Sequence, residues 1–383
     1  MEVIWFSLQI LIGYNLILPI ILYTGRFLKR NKFNATPTHK DDLDYAIIIT
    51  AYEETALLPS LVESILKLNY SNYLVYLVAD KCDVSSLKFD SEKVILLKPE
   101  NVLANNVKSH FYAIDRFRRK HDILTIIDSD NLVDPDYLTE LNTYFHLGFN
   151  AVQGLRVAKG TNSTIARLDS IRDVYYHFYD GRLLFELGSS ATLSGSGMAF
   201  RTELYVSCLD RKVISGAGFD KVLQAQILKK NERIAFASQA VVYDEKTSRS
   251  QQLVNQRSRW INTWFKYFDF GFDLIKLGVK NRSINQFLFG LILLRPPLFI
   301  FISLSFCCLL LAIALKSIMI YFWLIAFLSF LLSFHLALKK SKGITINYSS
   351  LLGIPKFMFF QFLSLFFIKS ANKRSVATKH QID

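Results

Sequence analysis

The chain is poor in cysteine and short of acidic charge. Its four cysteines comprise Cys307 and Cys308, adjacent within an apolar run, and the isolated Cys82 and Cys208. Such spacing excludes a disulfide framework and a metal finger, and suits a reducing cytoplasm. Lys and Arg outnumber Asp and Glu by 45 to 32, a net charge of +13. No aromatic RNA-binding signature accompanies that charge and the bases gather beside apolar segments, so no nucleic-acid partner is expected. The first apolar run also lacks the basic start of a cleaved signal peptide: Glu2 opens it and the bases follow it.

Apolar residues are abundant instead. At 51% hydrophobic residues and a mean hydropathy of +0.24, the chain is too apolar for an ordinary soluble enzyme. Residues 3–23 are long enough to span a bilayer as a helix and are followed by Arg26, Lys29, Arg30 and Lys32. Runs at 298–315 and 318–338 precede Lys339, Lys340 and Lys342, and a run at 351–368 precedes Lys369, Lys373 and Arg374. Bases on this side predict a retained anchor with its N-terminus outside, a cytoplasmic centre, and contact with anionic membrane lipids. Pro355, Lys356 and Gln361 interrupt 351–368, so that run reads as a further span or an interfacial helix, and the basic tail favours the interface.

The expected organisation is a transmembrane helix (1–25), a polar linker (26–44), a cytoplasmic domain (45–270), an interfacial segment around Arg295-Pro296-Pro297 (271–297), two transmembrane helices (298–338), and an interfacial or membrane helix with a basic tail (339–383). Within 45–270, strands are predicted at 45–50, 73–79, 123–127 and 150–157. Helices are predicted at 57–68 with Thr55 as N-cap, at 107–117, from Pro135 onward, at 222–230 and at 253–270. This alternation implies an α/β fold with a mostly parallel sheet and right-handed crossovers.

Ligands of such sheets gather outside the carboxyl ends of the strands, and the polar clusters of this chain fall there. The strand at 123–127 runs into Asp128-Ser129-Asp130. Two adjacent acids repel unless a cation joins them, and Mg²⁺ or Mn²⁺ suits carboxylate and phosphate oxygens; a solvated Asx turn is the plainer alternative. Thr50-Ala51-Tyr52-Glu53-Glu54 could pair with a nucleoside, or merely form a strand-to-helix turn. Asp80-Lys81-Cys82-Asp83 offers acids at the same height, or an ordinary loop. Asp220, after Gly216-Ala217-Gly218-Phe219, could serve as a general base or as a helix N-cap. In Gln256-Arg257-Ser258-Arg259-Trp260 the arginines suit a pyrophosphate and the indole suits a sugar face; a membrane-lying helix anchored by Arg and Trp is the alternative.

Taken in order, with a Gly-Ser-Gly loop at Gly195-Ser196-Gly197, these motifs resemble the membrane-embedded family 2 glycosyltransferases, relatives of cellulose, chitin and hyaluronan synthases. The resemblance covers about 45–267. It implies a GT-A, Rossmann-like catalytic domain with N- and C-terminal transmembrane or interfacial helices, and inverting transfer from a UDP-sugar. It implies a nucleotide-sugar site of Ala51, Tyr52, Glu53, Asp80, Asp83, Lys108, Asp128, Gln256 and Arg259, with Mg²⁺ or Mn²⁺ on Asp128 and Asp130. Asp220 would be the base, with Gly195, Ser196 and Trp260 on the side of a lipid-linked or glycan acceptor. Two positions depart from the pattern: Phe219 replaces a Glu before the base, and Asn105-Asn106-Val107-Lys108 replaces a Gly-Lys-Gly stretch. With about two spans after the domain, a processive synthase would need a second copy or an export partner. Loading of one sugar onto a lipid carrier, or a non-catalytic scaffold, are the rival expectations.

Overall fold

The computed structural model describes residues 2–28, 43–161, 163–209, 217–341 and 348–371. Most of the linker at 26–44, the basic residues Lys29, Arg30, Lys32, Lys342, Lys373 and Arg374, and Gly216 lie outside the described residues.

Eight strands form one sheet: β1 (Tyr45–Tyr52), β2 (Tyr73–Asp80), β3 (Val94–Leu97), β4 (Ile123–Asp128), β5 (Leu132–Val133), β6 (Ala151–Ala158), β7 (Met198–Arg201) and β8 (Ile234–Asp244). Their order is β3-β2-β1-β4-β7-β6-β8-β5. β1, β2 and β4 are runs of Ile, Leu, Val and Tyr buried almost throughout, as central parallel strands require. Their register places Tyr52 opposite Asp80 and Thr50 opposite Asp128, so three polar turns leave the sheet at one height.

The sheet is mostly parallel, as expected, with β1–β2, β1–β4, β2–β3 and β6–β8 all paired parallel, and it includes short antiparallel pairings as well. β7 runs antiparallel to both β4 and β6, and β5 antiparallel to β8. The four strands beyond the sequence expectation are β3, β5, β7 and β8. The first three have at most four residues, too few for a periodic signal. β8 is long, but it bulges against β6: Ala237 pairs with Gly154 and Val241 with Leu155, so Ser238, Gln239 and Ala240 break the alternation.

Helix boundaries differ in detail. The helix Leu58–Leu66 starts without a side-chain cap; Thr55 gives only its carbonyl, to Leu58 N at 3.0 Å, and Pro59 fixes the first turn. The helix Asn106–Ile114 is capped by Asn105, whose side chain accepts from Lys108 N. A longer helix, Thr164–Tyr176, continues through a π-helical segment, His177–Leu183, into Leu184–Glu186.

Two helices, Val3–Leu28 and Met319–Lys340, are long and apolar enough to cross a membrane. Ile284–Leu294 and Leu298–Ala314 form a pair bent by 70° at Arg295-Pro296-Pro297, where the prolines deny the backbone donors a continuous helix needs. One full helix and one arm of a bent pair therefore occupy the stretch expected as two spans. Ile354–Leu365 has 12 residues, shorter than a span needs. These elements pack on the sheet domain through specific contacts. Tyr179 OH donates to Ser333 O at 2.8 Å and Arg26 pairs with Glu186 at 2.6 Å, while Trp323 Nε1, donating to Gln9 Oε1 at 2.8 Å, ties the two long apolar helices to each other.

The segment expected as interfacial, 271–297, is built around a helical hairpin, Phe270–Lys280 with Ile284–Leu294. Its helices meet at glycines. A Cβ on Gly278 would stand 2.5 Å from Phe287 N and 2.8 Å from Phe287 Cα, backbone that cannot swing aside. Gly278→Ala is expected to cost about 2 kcal/mol, the scale of overpacking, and to lower the unfolding midpoint in detergent. Gly160→Ala, whose Cβ would meet nothing within 4 Å, is the control; equal midpoints would show that the hairpin yields.

Candidate active site

The carboxyl edge of the sheet opens into a cavity of about 690 Å³ that reaches across to the helix Ser250–Tyr267 and the bent apolar pair. Asp128 ends β4 and Asp130 follows two residues later, both on the cavity wall. Their turn is held by Asn131, only 1% exposed. Asn131 Nδ2 donates to Asp130 Oδ1 at 2.9 Å and to Asp244 Oδ1 at 3.4 Å. Ser196 Oγ donates to Asn131 Oδ1 at 2.5 Å and accepts from Asp128 N at 3.0 Å. Ser196 thus braces the acidic turn from beneath, and Gly195 is the loop residue that reaches the cavity. Ser196→Ala would leave a buried N–H and a buried amide oxygen unpaired, a loss of about 1–3 kcal/mol readable as a lowered unfolding midpoint. An unchanged midpoint would mean that other contacts hold the turn.

The electrostatics single out Asp128. Burial, and then the charge of Asp130, raise its carboxyl to about 7 against the pull of Arg156, with Asp244 and Asp220 adding to the rise. Other acids of the cavity are neutralised in place. Burial would raise Asp244 too, but Arg156 at 2.8 Å and Lys246 at 2.6 Å hold it below the usual range. Burial likewise opposes the ionisation of Asp173, and Lys246 and Arg172 keep it well below that range. A strongly perturbed acid in a cleft is a functional signal. Among the described residues, no group of three or more His, Cys, Asp or Glu side chains could hold a metal by itself. Two carboxylates with surplus negative charge fit a divalent cation that completes its shell with phosphate oxygens, as Mg²⁺ and Mn²⁺ commonly do.

Asp220 faces the same cavity from the helix Phe219–Lys229. The N-cap is Gly218, at φ +98°, so Asp220 is not spent on capping. A Cβ at Gly218 would lie 2.5 Å from Thr263 Cγ2; glycine lets this turn press against the helix Ser250–Tyr267, so that Asp220 lines the same cavity as Gln256, Arg259 and Trp260. Lys221 Nζ pairs with Asp220 Oδ2 at 3.2 Å and donates to Leu193 O at 3.1 Å, holding the turn in place. Phe219 packs edge-on to His110, with centroids 5.1 Å apart, so the aromatic ring at this position is part of the core.

On the helix Ser250–Tyr267, Arg257 is buried and paired with Asp169, and its guanidinium lies 4.0 Å from the Trp260 ring centroid. Arg172 lies 4.6 Å from the same centroid. Arg259 faces the cavity without a carboxylate partner among the described residues, and desolvation holds its guanidinium below the ordinary value. This is a charge left available for an anion.

The structure gathers Ala51, Tyr52, Asp80, Asp128, Asp130, Gly195, Asp220, Gln256, Arg259 and Trp260 around one cavity and leaves four other expected residues off its wall. Glu53 pairs outward with Lys81 at 2.6 Å, and Glu54 lines the cavity in its place. Asp83 accepts from Ser85 N in a surface turn at 3.0 Å. Lys108 is exposed, while Asn105 and Asn106 reach the cavity. Ser196 is the brace described above. Asp80 lines the wall, and its two oxygens accept from Leu103 N and Ala104 N, fastening the loop before Asn105. Asn131, Arg156 and Asp244 were not expected. Asn131 adjoins the acidic pair, but its role depends on Ser196, 65 residues away in sequence.

A mixed sheet with acids at its carboxyl edge and a cavity closed by a basic, aromatic helix is the frame of a GT-A glycosyltransferase. Residues 42–263 match the family described as Glycosyltransferase like family 2, and the chain belongs to that family. No curated protein matches the sequence significantly. Among solved structures, the fold is similar to mannosyltransferase PcManGT from Pyrobaculum calidifontis in complex with GDP-Man and Mn²⁺. The TM-score there is 0.58 at 13% identity, covering 95% of this chain and 98% of that one. S. aureus TarS 1–349 in complex with UDP-GlcNAc matches at a TM-score of 0.42 and 13% identity, over 66% of this chain and 70% of that one. The first likeness extends the shared fold to the apolar helices.

Proposed function

We propose that this glycosyltransferase moves a sugar, with inversion, from a UDP-sugar to a hydroxyl of an acceptor presented at a membrane, with Mg²⁺ or Mn²⁺ as cofactor. The observation that carries the reading is the convergence of Asp128, Asp130 and Asp220 on one cavity, close enough that Asp220 contributes to the raised Asp128. Asp128 and Asp130 would hold the cation and through it the donor diphosphate. The cation, when bound, would neutralise charge developing on the departing nucleotide. Arg259, with no carboxylate partner among the described residues, adds a fixed positive charge for the same diphosphate. Ala51, Tyr52 and Asp80 line the end of the cavity where the nucleoside would lie. Asp220 takes the proton of the acceptor hydroxyl as its oxygen attacks the anomeric carbon from the side opposite the diphosphate.

Membrane placement of the acceptor is supported by the two long apolar helices and by the bent apolar pair that forms part of the cavity wall. Mn²⁺ and GDP-Man in the complex of the mannosyltransferase neighbour support metal-assisted use of a nucleotide sugar. The test is a panel of UDP- and GDP-sugars supplied to the purified chain with Mn²⁺, Mg²⁺ or EDTA, reading released nucleotide. Release from a UDP-sugar that EDTA abolishes is expected. Release from GDP-sugars alone would overturn the choice of nucleotide, and metal-independent release would overturn the cation site.

A further inference from the structure

The active-site cavity has two chemically different ends. Asp128 and Asp130 mark one; the other is walled by Trp264, Phe268, Ile292, Leu293, Leu298 and Phe299. The last four of these belong to the bent apolar pair. Close by, Phe362 stands edge-on to Phe299 at 5.5 Å, and Phe359, Phe362 and Phe366 are exposed in and just after the short helix Ile354–Leu365. An apolar wall with the exposed Phe362 packed against it is a surface for hydrocarbon, not for a hydrated glycan chain.

The buried polar atoms of this cavity's lining that have no hydrogen-bond partner among the described residues include Gln256 Oε1, Arg257 Nε and Nη1, and Arg295 Nη1. All three residues line the cavity, and Arg257 and Arg295 are 2% and 5% exposed. Both guanidinium groups are already neutralised, Arg257 by Asp169 and Arg295 by Asp180. An ionised phosphate could accept from the arginines, and from the Gln256 amide turned over, but it would find both guanidinium charges already matched by Asp169 and Asp180 and would sit among acids. A hydroxyl both donates and accepts, and so answers the whole set.

We propose that the acceptor is an uncharged lipid with a polyhydroxyl head, glyceryl or glycosyl, its hydroxyl at Asp220 and its hydrocarbon tail along Ile292, Leu293, Leu298 and Phe299. The proposal rests on the glycosyl-transfer reading and deepens it. The hydroxyl oxygen bonds to the anomeric carbon, the bond from that carbon to the diphosphate breaks with its electron pair leaving on the nucleotide, and the proton passes to Asp220.

The test uses the full chain held in an amphipathic polymer, with its donor fixed by the sugar panel and with alkyl glucosides and 1-O-alkyl glycerols from ethyl to dodecyl as acceptors. The catalytic efficiency kcat/KM is expected to rise about fourfold per added methylene over the first several, as burial of each CH₂ predicts, and then to level off. Leu293→Ser should flatten that slope. Efficiency independent of chain length, with metal-dependent nucleotide binding intact, would overturn the lipid acceptor alone. Alkyl phosphates outrunning alkyl glucosides would overturn the neutral head. Loss of metal-dependent nucleotide binding in the unaltered chain would instead overturn the reading on which the proposal rests.

Discussion

Replacing Asp220 with Asn should reduce turnover by about 10³-fold, within the range for loss of a general base, while nucleotide affinity stays within about twofold. Asn keeps the shape of the side chain but cannot take a proton. The helix should survive the change, because Gly218 occupies the N-cap and the Asp220 side chain makes no capping bond. Only the partly exposed contact with Lys221 is lost, and such pairs contribute little to stability. Turnover by the acceptor reaction and Kd for the nucleotide, measured on the same preparation, separate chemistry from binding. Undiminished turnover would remove Asp220 from the reaction. Parallel loss of affinity and turnover would make it a binding residue.

Asp128→Asn should have the opposite signature: metal-dependent nucleotide binding lost, turnover down by at least about 10³-fold, and the ligand-free protein stabilised. The sign follows from the raised carboxyl. With the folded value near 7 and the ordinary value near 3.9, the native state resists ionising Asp128. That penalty is absent at low pH, grows between about pH 4 and pH 7, and is complete above pH 7. Removing the charge should therefore raise the free energy of unfolding above pH 7, by about 2 kcal/mol once sharing with Asp130 and solvent in the cavity are allowed for, and leave it unchanged near pH 4. In the unaltered chain, protons and cation compete for Asp128, so metal-dependent nucleotide binding should weaken as pH falls below about 7. Thermal unfolding across pH, with and without Mn²⁺, reads both effects. A variant no more stable than the parent at pH 8 would show that Asp128 carries no excess charge in the free protein.

The two substitutions separate the kinds of acid that line this cavity. Asp244 and Asp173 are matched to Arg156, Arg172 and Lys246 and form a fixed ionic frame. Asp128 is left with more negative charge around it than Arg156 offsets. A site that must accept a cation with each donor holds such an imbalance, and the stability it forgoes is recovered on binding.

By itself the sequence determined the parts whose signals are local. Buried runs of Ile, Leu and Val announced β1, β2 and β4 with the polar turns that end them, because a central parallel strand is apolar on both faces. Asp-Ser-Asp, the glycine turn before Asp220, and Gln256 to Trp260 were legible because each motif lies within a few residues. The long apolar helices were legible from length and hydropathy alone. Tertiary structure decided the rest, for physical reasons. β3, β5 and β7 are too short to show a period, and β8 hides its alternation in a bulge. Whether an acid faces the cavity or the solvent depends on what stands opposite it: Lys81 draws Glu53 outward, and Glu54 takes its place on the wall. Ser196 turned out to brace Asn131 and Asp128, a role set by hydrogen bonds between segments more than sixty residues apart. The apolar end of the active-site cavity exists only because the bend at Arg295-Pro296-Pro297 folds one helix pair against the catalytic edge, and no local pattern encodes that approach.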